Sequence, residues 1–234
     1  MLPARASGSF EFRMDAALLI AALWVVFAAS HMALSSLRWR PWLVAALGER
    51  AFQGLYSLIA LAVFVPLVTV YFRNRHDGPY LGSLAGVPGL HWLVLVGMGA
   101  AVCLVVGGLV RQSPASVVPG ASEVRGVFRV TRHPLLMGFG LFGLLHLCAV
   151  AVNATELAFF AGFPVFVVIG CRHQDQRKLA TAGEAFRRFH AATPFLPFSR
   201  PAGAVAALRE QPIVIGLGVA LAVGLRLLHP VWFY

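Results

Sequence analysis

The sequence predicts an all-α fold, a polytopic membrane helix bundle of about six transmembrane helices with one further helix lying on the cytoplasmic surface. Composition and the placement of charge lead to it. Of the 234 residues, 59% are apolar and 12% charged, and the mean hydropathy of +0.79 lies far above that of soluble domains. A helix needs roughly 20 mainly apolar residues to cross the hydrocarbon, and six stretches approach that length: 16–35, 53–72, 91–110, 134–152, 154–171 and 212–229. The formal net charge is +10, and it is unevenly distributed. Loops on one side of the six spans carry fourteen Lys and Arg, those on the other carry four. The richer side is therefore expected to be cytoplasmic, with both termini on the opposite, periplasmic side of a bacterial inner (plasma) membrane. The excess charge then reports topology and contact with lipid headgroups, so the expected partner is the bilayer and no nucleic acid.

Taken in order, the chain reads as one integral membrane domain over residues 1–234. Residues 1–14 form a short disordered or interfacial tail. The first span ends near Arg38, which can snorkel to the headgroups, and Pro41 bars a straight continuation. Residues 48–58 lead into the second span with Tyr56 near the interface. A Gly- and Pro-rich loop over 77–89 returns the chain, and the third span is followed by a polar, basic stretch over 111–132. Pro134 suits the first turn of the fourth span, where its missing N–H is no loss. The fourth and fifth spans join through Asn153, which makes them an antiparallel hairpin. Glu156 and Pro164 interrupt the fifth. Residues 173–190 place Leu179, Ala182, Phe186 and Phe189 at helical spacing with basic residues between them, the pattern of a surface helix. A non-helical apolar dip over 193–198 precedes the sixth span. Cys103, Cys148 and Cys171 form no CxxC and read as small core residues. Gly138, Gly140 and Gly143 match a dinucleotide-binding spacing but lie within an apolar helix, where close helix packing is the better reading.

Of eight histidines, only His31 and His146 lie deep in apolar spans, and ionisable residues there normally face the bundle interior or a functional cavity. Each has Phe four residues before it and a small residue three before it: Phe27 and Ala28 for His31, Phe142 and Gly143 for His146. Residues at those offsets share the histidine's helical face. Such a surround leaves room for a flat group beside the imidazole, as bis-imidazole haem ligation requires. It is met equally well if each imidazole bonds a neighbouring carbonyl or serine. By helix rise, His31 lies about 10 Å inside the span from Arg38, and His146 about 21 Å from Arg132; tilt or stagger of the helices would have to close part of that gap. His133 and His146 lie too far apart along one helix to serve one metal. Arg132 and His133, at the cytoplasmic rim, are candidates to pair with haem propionates or another anion. Ser35 is placed to bond a helix carbonyl or to orient His31. No catalytic acid or base is assigned.

Four motifs in order, HMALSSLR (31–38), GERAFQGLYSL (48–58), TRHPLLMGFGLFGLLHL (131–147) and RKLATAGEAFRRFHAATPFLPF (177–198), resemble the NnrU family and its zeta-carotene isomerase branch. The resemblance spans residues 16–200 and leaves 201–234 as an extra C-terminal transmembrane helix. It implies a multi-pass membrane protein. For the isomerase branch it implies haem b, with iron ligands that match His31 and His146, and redox-gated exchange of an axial histidine that turns a cis double bond of a polyene. For the NnrU branch it implies a link to nitrate and nitrite respiration, denitrification and nitric oxide metabolism. A small apolar or gaseous ligand and a membrane electron donor are then the expected partners. The extra span and the lack of a plastid-type leader favour the bacterial branch. Two alternatives come from other classes. RHPxYxG followed by an acidic pair resembles the isoprenylcysteine carboxyl methyltransferases, which use S-adenosylmethionine; here Leu136 replaces the Tyr, and Asp175 with Gln176 replaces the acidic pair. The other alternative is a non-catalytic membrane partner protein.

Overall fold

The computed structural model describes residues 8–114 and 123–233. Its helices are α1 (Gly8–Leu34), α2 (Arg40–Leu47), α3 (Glu49–Arg73), α4 (Leu90–Val110), α5 (Pro134–Ala149), α6 (Ala154–Thr181), α7 (Gly183–Ala192), α8 (Pro201–Glu210) and α9 (Pro212–Phe233), with short strands β1 (Tyr80–Ser83) and β2 (Ala151–Asn153). The all-α membrane bundle is thus observed. Five helices are long and apolar enough to cross a membrane. The fourth expected span, α5, has 16 residues, about 24 Å at 1.5 Å per residue. Their large apolar side chains turn outward, for example Val25 on α1, Leu58 on α3, Val96 on α4 and Ile213 on α9. Helices apolar on all faces belong in hydrocarbon.

β1 and β2 pair antiparallel, with Tyr80 opposite Asn153 and Ser83 opposite Ala151. This ribbon ties the α3–α4 turn to the α5–α6 turn and defines one end of the bundle, the ribbon face. The opposite end collects the C-terminus of α1, all of α2, the starts of α3 and α5, the end of α6, and α7 and α8; it carries most of the Arg and Lys and is the basic face. The first and last helices both have their outer termini toward the ribbon face.

α6 is the spine, the most deeply buried of the long helices, with α1 and α5 packed against it and α4 against α5. Glu156 does not interrupt it. Asn153 and Glu156 form a reciprocal capping box, and the Glu156 carboxylate, fully buried, accepts from the backbone N–H groups of His76 at 2.7 Å and Asn153 at 3.2 Å. A carboxylate in the first turn also suits the helix dipole. Pro164 likewise lies within a continuous helix.

The three glycines of α5 serve packing, as read. A Cβ at Gly138 would meet the Ala101 carbonyl at 2.7 Å and Val105 at 2.6 Å on α4, one at Gly140 would touch Val167 on α6 at 3.3 Å, and one at Gly143 would strike the Phe160 carbonyl. Close backbone approach through small residues is a main route to helix association in membranes.

Two expectations are corrected. The surface helix does not begin at residue 173: α6 runs on to Thr181, and the break comes at Gly183, whose φ of 73° ends the helix. α7 then buries Phe186 and Phe189 and exposes Arg187 and Arg188. The stretch after 198 also contains an unexpected helix, α8, with Pro201 in its first turn. Of the expected tail, residues 8–14 belong to α1, and residues 1–7 lie outside the described residues. The basic stretch over 111–132 is described except for 115–122. Its end forms a 3-10 turn at Gly126–Arg129, held by α8 through Glu210, which accepts from Gly126 N–H and Arg129 Nε, both at 2.7 Å.

Candidate functional site

The bundle interior is a layer of aromatic rings with an imidazole toward either end. α1 contributes Trp24 and Phe27, α3 Phe64, α5 Phe142, and α6 Phe159, Phe160, Phe163 and Phe166. Trp24 donates its indole N–H to the Phe159 carbonyl at 3.1 Å and lies where a side chain at Gly162 would stand. Pro164 has no N–H to offer the Phe160 carbonyl, its i−4 partner, and Gly143 of α5 packs onto that carbonyl.

His31 and His146 are half-buried at the edges of this layer, and their local geometry is the same. The Nδ1 of His31 lies 2.8 Å from the Phe27 carbonyl and that of His146 2.9 Å from the Phe142 carbonyl. A carbonyl only accepts, so Nδ1 carries the proton and Nε2 the lone pair. Nε2 has no hydrogen-bond partner among the described residues. The Phe at i−4 also packs on each ring, at centroid separations of 4.0 Å and 4.1 Å. Ser35 donates to the His31 carbonyl at 2.6 Å, the commoner of its two expected roles. Ala28 is half-buried beside Phe27.

A metal-bound histidine characteristically fixes its other ring nitrogen by a hydrogen bond, so each imidazole has the donor chemistry of a haem ligand. Their relative placement is different. His31 lies one turn from the basic end of α1, against Tyr56 and Phe166. His146 lies one turn from the ribbon end of α5, stacked on Phe160 at 4.6 Å. Phe160 and Phe166 are six residues apart, about 9 Å along α6 and on different sides of it. Two ligands of one metal must each come within about 2 Å of it. As packed, the Phe166 and Phe160 rings lie directly against the two imidazoles, so one haem held by both histidines would have to displace them. Gly143 faces filled space.

Arg132 and His133 are brought to a different group. Both are buried at the basic face, where the Asp175 carboxylate accepts from Arg132 Nε and Nη2 at 2.8 Å and lies 2.9 Å from His133 Nε2. Arg132 Nη1 donates to the Thr193 carbonyl at 3.0 Å, Ser113 donates to the Arg132 carbonyl at 2.8 Å, and the guanidinium lies 5.1 Å from the Phe195 ring centroid. His190 Nε2 stands 3.7 Å from Asp175. Burial, and the Arg132 charge beside it, hold its imidazole below the usual histidine range. An open cleft of about 570 Å³ runs beside Arg132, His190, Phe195 and Arg200. Asp175 and His190 were not singled out as site residues from sequence. The one available signal was a carboxylate inside a helix that proves to run continuously from Ala154.

These features define a class: a polytopic all-α membrane protein with imidazole donors in an aromatic interior, closed at its basic end by a buried ion-pair network. The family model for the NnrU protein matches residues 18–234, and the chain belongs to that family; the match includes the last helix, which the sequence motifs do not reach. It is similar to the chloroplastic 15-cis-zeta-carotene isomerases of Zea mays, 26% identical over 180 residues, and Arabidopsis thaliana, 28% identical over 180 residues. Each alignment covers 76% of this chain and 48% of the relative, so the chain spans about half the length of these relatives. No solved structure matches.

Proposed function

We propose that the chain is a membrane isomerase of the type its plant relatives represent, acting on a polyene or similar apolar double bond from within a bacterial inner membrane, with its basic face cytoplasmic and both termini periplasmic. The observation that carries this reading is the pair of intramembrane imidazoles, each with Nδ1 fixed by its own helix and Nε2 left as a lone-pair donor. Haem b belongs to the proposal as the group those Nε2 atoms would hold. When bound, its iron would supply a redox-switchable Lewis-acid centre, and a membrane electron donor would set its state. The chain's own part is to keep each imidazole neutral and oriented, to exclude water with the ring layer, and to offer apolar surface to a lipid-like substrate. A nitric oxide ligand, and with it a place in nitrate and nitrite respiration, is the second reading.

The test is the absorption spectrum of the full chain purified in detergent, with His31→Ala and His146→Ala made singly and together. A Soret band in the wild type that disappears in the double variant is the expected result. A band unchanged in the double variant removes both histidines as ligands. Saturable S-adenosylmethionine binding with no Soret band would favour methyl transfer instead, although Asp175 already serves internal partners.

A further inference from the structure

We propose that Arg177 and Lys178, with Arg40, form a binding site for the phosphate of an anionic lipid headgroup at the basic face. Arg177 and Lys178 are 8% and 7% exposed on the last turns of α6. Arg40, Arg177 and Lys178 lie close enough to act on one another as like charges, and the carboxylate that acts on both Arg177 and Lys178 is Glu49. Glu49 is already engaged: it accepts from Arg40 Nη2 at 2.6 Å and from Gln53 at 3.1 Å. Three cations against one carboxylate leave an excess of about two positive charges, and burying unpaired charge is costly unless something neutralises it.

The hydrogen-bond accounting leads to the same place. Among the described residues, two buried side-chain nitrogens lack any partner, Arg177 Nε and His173 Nε2, and they lie one helical turn apart on α6. The His173 ring lies near the Ser35 backbone, which places the pair beside the end of α1. An oxyanion carrying up to two charges would satisfy the charge and accept from the idle Arg177 Nε–H, and a guanidinium suits phosphate oxygens. The depth selects a lipid as the occupant. The neighbouring segment into α2 exposes Trp39 and Trp42, the residues that mark the membrane–water boundary, and basic pockets between helices on that side recognise headgroups. The Arg132 network is a separate feature, because its guanidinium is already neutralised by Asp175.

The experiment titrates the purified full chain in neutral detergent with short-chain phosphatidic acid, phosphatidylcholine or inorganic phosphate. Binding is read by native mass spectrometry and by the thermal midpoint. The expected result is saturable binding of phosphatidic acid that raises the midpoint, with no comparable effect of phosphatidylcholine. Arg177→Gln and Lys178→Gln should each weaken that binding about tenfold or more, Lys178→Arg should retain it, and the exposed pair Arg187→Gln and Arg188→Gln should leave it unchanged. Without lipid, Lys178→Gln should melt no lower than the wild type, because it relieves repulsion; a cation with only an internal structural role would give the opposite. Undiminished binding in Arg177→Gln and Lys178→Gln overturns the site. Equal stabilisation by millimolar inorganic phosphate overturns the lipid assignment.

Discussion

Asp175→Ala is a severe single change outside the aromatic layer. It removes the acceptor of both Arg132 contacts at 2.8 Å and of the His133 contact at 2.9 Å. It leaves a guanidinium whose side chain is 9% exposed beside an imidazole 2% exposed. Removing one partner of a buried ion pair costs about 3–5 kcal/mol, most of it from the stranded charge. In a chain of this length 1 kcal/mol moves a thermal midpoint by roughly 2–4 °C, so a fall of about 10 °C is expected in detergent, read by the loss of the monodisperse peak on size exclusion after heating. Asp175→Asn keeps the shape and one oxygen but turns an amide N–H₂ toward a donor, and should fall about half as far. The double variant Asp175→Ala with Arg132→Met, which removes the stranded charge, should recover part of the loss. An Asp175→Ala midpoint within about 3 °C of the wild type would refute the view that this network holds α5 to α6.

Gly162→Ala places a methyl where the Trp24 indole packs; overpacking of this kind costs about 1–3 kcal/mol, and the displaced indole should lose its bond to Phe159, read as a shift in tryptophan emission that Trp24→Phe abolishes. For His190, whose folded pKa lies below its ordinary 6.5, the unfolded chain binds more protons as pH falls below about 6.5, so its contribution to stability declines there. His190→Gln should flatten the acid slope of the midpoint-against-pH curve by a small amount, since the ring is partly exposed, and an unchanged slope would remove His190 as a titrating contributor.

What was legible in the sequence is what local pattern controls. The spans were readable because a lipid-facing helix is apolar on all sides, and the role of the three α5 glycines because close packing needs them wherever two helices cross. Ser35, His31 and His146 bond within their own helices, so their partners lie four residues away. Long-range pairing was not legible. Arg172 to Lys178 looks like a solvated surface run, yet Asp175 is buried because its partners arrive from 42 and 43 residues earlier in the chain, and that is why α6 does not stop there. Glu156 looked like an interruption although Asn153, three residues before it, supplies a local capping-box signal; what was not legible is its second acceptor role, to the His76 N–H 80 residues away. The start of α8 did carry a local signal, Pro201 followed by an alanine-rich run, that the apolar dip before it obscured.

The same contacts bear on whether His31 and His146 ever share one metal. α5 is clamped at both ends, by Asp175 at the basic face and by the β1–β2 ribbon with the Asn153–Glu156 cap at the other. Any approach of the two imidazoles would therefore fall to α1. A slide of α1 by one helical turn, about 5.4 Å, lies beyond the 1–2 Å shifts typical of helices that stay packed. Such a slide would break the Trp24–Phe159 bond and lift the indole off Gly162. For both imidazoles to hold one haem, the packing therefore favours movement of the Phe160 and Phe166 rings over a slide of α1. The single variants separate the two cases: loss of the Soret band in only one of them assigns the iron to that imidazole alone, and equal loss in both assigns it to the pair.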